Sequence, residues 1–152
     1  MNKFESLFAA YPCVLTDESV KAMVAEILAE HFNENNNIEV WKQCLHSIDL
    51  TTLNGDDTTE KVETMAQRVN EFEEKFPGVP NVAAMCVYPA LVQTASDTLT
   101  EPIGIAAVAA GFPASQTFIE VKVAEAAMAV AAGATEIDIV ISIGKFLVGN
   151  YQ

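Results

Sequence analysis

The stretch GATEIDIVISIGKF, residues 133–146, decides the fold. An acid, Asp138, sits inside a run of isoleucine and valine. In an extended chain, successive side chains point to opposite faces. Ile137, Ile139, Ile141 and Ile143 then share one face, and Glu136, Asp138, Val140 and Ser142 share the other. The pattern predicts a β-strand with one aliphatic face and one face of acid and hydroxyl groups. Two settings suit such a strand. It can be a solvated edge, or a barrel strand whose outer face meets helices and whose inner face meets a reaction.

Upstream of this stretch, SQTFIEVKVAEAAMAVAAGA reads as the clearest helix, capped by Ser115 or Thr117 and ended at Gly133. IGIAAVAAGFP (103–113) is rich in alanine, which favours a helix. Its position and its closing Gly-Phe-Pro turn favour a strand instead. ALVQTASDTLT after Pro89 is a short helix. NVAAMCVYP (81–89) is a short continuous apolar run, as expected of a strand buried on both faces.

CLHSIDLTTL (44–53) is expected to form the first strand, with Leu45, Ser47, Asp49 and Thr51 on one face and His46, Ile48 and Leu50 on the other. Asn54-Gly55 then signals a turn. Asp57 with Glu60 resembles a capping box for a helix reaching about Phe76, ended by PGVP. Two helices are expected at the N-terminus: NKFESLF, and TDESVKAMVAEILAEHF with Thr16 or Asp17 as its cap. The asparagine-rich segment 33–37 should break the second. His31 at its end suits the helix dipole.

The 152 residues suffice for one ordinary domain, and 51% apolar content suffices for a packed core. A formal net charge of −13 argues against nucleic acid and anionic membrane surfaces as partners, since both need basic patches. No apolar run reaches the roughly 18 residues of a membrane span, and the N-terminus carries no secretory h-region. Three cysteines without metal-ligand spacing suggest reduced thiols and a cytoplasmic protein.

Helices followed by β-α-β-α-β-α-β argue for parallel βα units. A flavodoxin-like sheet, a Rossmann-like sheet and part of a (β/α)8 barrel all fit. The absence of a GxGxxG or GxxxxGK[ST] loop weakens the nucleotide-binding versions. Polar groups near the C-terminal ends of the strands favour the barrel, where catalytic groups project.

Four segments in series, IDLTTLNGDDTTEKV (48–62), AAMCVYPALV (83–92), AAGFP (109–113) and AGATEIDIVISIGKFLVGNYQ (132–152), resemble deoxyribose-phosphate aldolase. The likeness runs in order from about residue 44 to the last residue. It implies a (β/α)8 TIM barrel and a class I aldolase with no metal and no organic cofactor. Such enzymes cleave 2-deoxyribose 5-phosphate to acetaldehyde and glyceraldehyde 3-phosphate. The chemistry needs a lysine with a partly neutral amine, a second cation that lowers its pKa, and an acid/base.

By resemblance, Asp138 matches the aspartate of the proton relay beside the Schiff-base lysine. Asp49 matches an aspartate of the polar network, Thr51 and Leu53 match positions near the substrate, and Cys86 and Phe112 match pocket positions. Cys86 also reads as core lining, Glu136 as a stabilising acid at the barrel bottom, His46 as a packed or surface histidine, and Asp49 with Thr51 as a turn-forming pair. The family's KTSTGF-like and KASGG-like lysine strands and its phosphate-binding glycines and serines lie beyond Gln152. Lys145 matches a basic position that is not catalytic, and Lys42 precedes the first strand.

The expected fold is therefore α/β, the N-terminal half of a TIM barrel: one domain over 1–152, with a helical segment (1–43) and four βα units (44–152). The expected function is that of a Schiff-base aldolase acting on a small phosphorylated sugar or aldehyde, inactive as this truncated chain. Its partner would be a second copy, as a homo-oligomer, or a missing C-terminal half. Two other readings stand beside it: a non-catalytic half-barrel module for assembly or binding, and an unrelated open α/β binding domain.

Overall fold

The computed structural model describes residues 3–151. Asn2, expected in the first helix, and Gln152, the end of the matching stretch, lie outside the described residues. Internal contacts divide the chain into two compact units, one holding Met1–Trp41 with Tyr151–Gln152, the other Lys42–Asn150.

The first unit contains α1 (Lys3–Ala10) and α2 (Asp17–Asn35). Thr16 caps α2 reciprocally with Ser19: the Ser19 amide donates to Thr16 Oγ1 at 3.2 Å, and the Thr16 amide to Ser19 Oγ at 2.9 Å. The asparagine-rich segment 33–37 breaks this helix as expected, near its end. Asn35 stays helical by donating from Nδ2 to the His31 carbonyl one turn back, and Asn36 is the C-cap. Asn37 Oδ1 then accepts from the amides of Glu39 and Val40, which starts α3 (Ile38–His46). One asparagine-rich segment thus ends one helix and begins the next. Tyr151 stacks at tilted angles on Phe4 and Phe8.

Helix α3 overturns part of the first-strand expectation, since Cys44–His46 are helical. Ile38, Trp41 and Leu45 recur at helical spacing, and only Asp49–Thr51 forms β1.

The second unit continues with α4 (Thr59–Asn70), α5 (Phe72–Lys75), β2 (Ala84–Val87), a 3-10 turn (Pro89–Leu91), α6 (Val92–Thr98), β3 (Gly104–Ala109), α7 (Ile119–Ala131), β4 (Glu136–Ile139) and α8 (Ile143–Leu147). The strands form one parallel sheet in the order β1-β2-β3-β4. Consecutive parallel neighbours joined through helices are the first four units of a (β/α)8 barrel, whose closure takes eight strands.

Alternation sorts the side chains of the sheet. Met85, Val87, Ile105 and Ala107 join Val62 and Ala66 of α4, Val92 and Ala95 of α6 and Ala129 of α7 in the main core. The opposite face carries a small second cluster of Cys86, Ala106 and Val108, with Leu53, Tyr88 and Phe112 packed on it. The alanines of β3 are strand because hydrogen-bonded ladders flank them on both sides, which outweighs their helical propensity.

Three local expectations are corrected. The cap of α4 is Thr58, whose Oγ1 accepts from the Lys61 amide at 3.2 Å. Asp57 cannot serve, because its oxygens are held by Thr52 Oγ1 at 2.9 Å and the Asn54 amide at 3.0 Å. Neither Ser115 nor Thr117 caps α7; Phe118 holds that position without a side-chain bond. Finally, β4 ends at Ile139, and Ile143 opens α8. Among the described residues no helix is long and apolar enough to cross a membrane.

Candidate active site

The sheet face away from the helices is built by register. Thr51 stands beside Cys86, Cys86 beside Ala106, and Ala106 beside Glu136. Two residues further along β4, Asp138 stands beside Val108. Leu53 and Phe112, on the loops after β1 and β3, close over the same small cluster. Five of the six residues singled out from the sequence therefore meet around one patch: Thr51, Leu53, Cys86, Phe112 and Asp138.

Asp49 shares the face but not the level. It pairs with Ala84, which pairs with Gly104, four residues before the partner of Asp138. At about 3.3 Å per residue, that sets the two acids on levels about 13 Å apart along the strands.

Electrostatics tie the patch together. The Cys86 thiol is pushed up from its ordinary pKa, chiefly by burial, with the negative charges of Asp138 and Asp49 acting in the same direction; a hydrogen bond with the Thr51 side chain opposes them. Thr51 Oγ1 also donates to the Asp49 carbonyl at 2.8 Å. Asp49 and Asp138 are exposed, and among the described residues neither carboxylate has a hydrogen-bond or ion-pair partner. Asp57 is the contrast: Lys61, Thr52 and Asn54 all bind its carboxylate.

Tyr88 belongs to the patch and was missed. Its hydroxyl donates to the Leu53 carbonyl at 3.3 Å, which ties the loop after β1 to the end of β2. The signal was present in CVYP, since Tyr88 has the same strand parity as Cys86. His46 lies elsewhere, with Nδ1 2.8 Å from the Asn81 carbonyl. The Glu136 carboxylate lies against Gly104, and Lys145 is exposed on α8. All three cysteines are free, and among the described residues no group of three or more His, Cys, Asp or Glu side chains is placed to hold a metal ion.

A parallel half-barrel sheet, helices on one face and carboxylate, thiol and hydroxyl groups on the other, is the architecture on which barrel enzymes mount their chemistry. The family follows from comparison. A model described as DeoC/LacD family aldolase matches residues 44–145, and the chain belongs to that family. The human deoxyribose-phosphate aldolase (Homo sapiens) is 38% identical over 122 residues, covering 69% of this chain and 36% of that protein. Among solved structures, QR15, an aldolase, superposes with a TM-score of 0.61 at 28% identity, covering 70% of this chain and 44% of the other. The tetrameric deoxyribose phosphate aldolase from Aeropyrum pernix superposes at 0.58 and 22% identity, covering 72% and 44%, a likeness of fold. The chain spans about two fifths of the length of the curated relatives it matches.

Proposed function

We propose that this chain carries the acid/base half of a class I aldolase acting on 2-deoxyribose 5-phosphate. In Schiff-base aldol cleavage a lysine amine condenses with the substrate carbonyl, and a carboxylate moves the protons that accompany carbon–carbon cleavage. Asp138 takes the carboxylate role. Asp49 and Thr51 shape the polar floor, while Leu53, Cys86 and Phe112 bound the substrate. The reading puts the chain in the cytoplasm and gives it a partner, either a C-terminal half or a second copy. The Schiff-base lysine is not among residues 44–145, and that stretch by itself does not turn over.

One observation carries this reading: an unpartnered carboxylate, Asp138, on the sheet face opposite α4, α6 and α7 and beside Val108, whose charge reaches the buried Cys86 thiol. A carboxylate left free of hydrogen bonds can exchange protons with a substrate, whereas one held like Asp57 cannot.

The test is a chimera with residues 44–145 in place of the matching stretch of the human enzyme. It should cleave 2-deoxyribose 5-phosphate, and Asp138→Asn should lower kcat by about 100-fold or more. A folded chimera without activity, or one indifferent to Asp138→Asn, would sink the proposal.

The open sheet edges support a second reading, a half-barrel that acts through assembly. Ile139 and Ile141, at 64% and 60% exposure, leave the β4 side apolar.

A further inference from the structure

Helix α7 is amphipathic in an inverted sense. Its sheet-facing stripe is Lys122, Glu125, Ala126 and Ala129, at the i, i+3, i+4, i+7 spacing, while Val123, Met128 and Val130 are exposed. Lys122 is 8% exposed. Its ammonium donates to Ser115 Oγ at 2.6 Å and to Ser142 Oγ at 2.9 Å, and Ser115 Oγ donates onward to the Val140 carbonyl at 2.9 Å.

That arrangement is electrostatically incomplete. An ammonium has three donors, and hydroxyls take two. Among the described residues no carboxylate lies within ion-pair distance of Lys122, although Lys61 and Lys75 each have an acid partner. A buried cation without a counter-charge is costly.

Lys122 and the two serines line a cleft of about 520 Å³, together with Lys145, Thr117 and Gln116. The lining holds two lysines and no Asp or Glu, in a chain whose formal net charge is −13. The cleft opens between the loops that follow β3 and β4, at the end of the sheet where barrel proteins bind ligands.

We propose that this cleft binds a phosphate monoester dianion. Lys122 supplies the buried positive charge and Lys145 the exposed one. The Thr117 hydroxyl and the Gln116 amide add donors to the remaining phosphate oxygens. Several donors from separate loops suit a three-oxygen dianion better than a carboxylate. The volume lies within the range of small-molecule pockets and leaves room for a short carbon body. The proposal does not rest on the aldolase reading, because binding is measured without turnover.

The experiment is an amide-resolved NMR titration of the chain with inorganic phosphate, then glycerol 3-phosphate, against chloride at matched ionic strength. Saturable shifts confined to residues 115–119 and 142–145 are expected, with tighter binding of the monoester. Lys145→Met, on an exposed helix, should keep the fold and weaken binding by about tenfold. Lys122→Met should abolish it if the variant folds; if it does not, Lys145→Met carries the test. Absence of saturation at roughly 10 mM phosphate, well above a millimolar dissociation constant, overturns the proposal. So does a Lys145→Met variant with unchanged affinity, which would put the bound phosphate outside the reach of Lys145 and away from this cleft.

Discussion

Gly133 and Ser96 approach so closely that a methyl group on Gly133 would stand 2.6 Å from Ser96 Oγ and 2.9 Å from its Cβ. Gly133 also has φ +111°, a backbone state that side chains rarely adopt. The turn that ends α7 and delivers the chain into β4 therefore depends on a residue without Cβ. Gly133→Ala should destabilise the fold by about 2–4 kcal/mol in urea melts. Adding Ser96→Gly should recover the steric part and leave the backbone part, about 1–2 kcal/mol. A single variant within about 0.5 kcal/mol of wild type would contradict this account.

Asp57 sets an acid limit. Its pKa falls from 3.8 to about 2, first through the Lys61 ammonium, then against the opposing effect of burial through the Asn54 amide and the Thr52 and Asn54 side chains. The folded state thus holds the proton less tightly than the unfolded state. The stabilisation is present in full above about pH 4 and is lost as pH falls towards about 2. Denaturant melts of wild type and Asp57→Asn should differ most near neutrality and converge between pH 4 and pH 2. A constant difference across that window would mean that the charge of Asp57 contributes nothing.

The three thiols should separate by reactivity. Cys13 and Cys44 are exposed, whereas Cys86 is buried with its thiol pKa raised. The thiolate is the reactive form. At pH 8, iodoacetamide should modify Cys13 and Cys44 quickly and Cys86 slowly. Asp138→Asn, by removing a negative charge near Cys86, should speed its alkylation. Peptide mapping over time reads both effects, and an unchanged Cys86 rate in that variant would put Asp138 outside its field.

Much of the fold was legible because periodicity reports burial directly. AMCV read as a strand buried on both faces, and β2 is buried at every position. Strand parity put Asp49 and Thr51 on one face, but only register sets Cys86 beside Thr51 and reveals that Asp49 lies four residues below the level of Asp138. Helix α3 was hidden because the few residues around Cys44 alternate by chance, while the helical spacing from Ile38 to Leu45 spans a longer window. Adjacent candidates such as Asp57 and Thr58 compete for one cap, and the loop at Thr52 decides between them. Lys122 was passed over because a lysine on a helix ordinarily belongs to its solvated face, whereas this one is buried against Ser115 and Ser142.

The central claim, taken from the proposed function, is that residues 44–145 supply a relay carboxylate for an aldolase site and no Schiff-base lysine. Borohydride trapping with acetaldehyde, read by intact mass and peptide mapping, tests it most directly. The account predicts no stoichiometric ethyl adduct on any lysine, with only trace modification spread over exposed amines. A full single-site adduct on one lysine, suppressed by 2-deoxyribose 5-phosphate, would contradict it and identify a nucleophile within these residues.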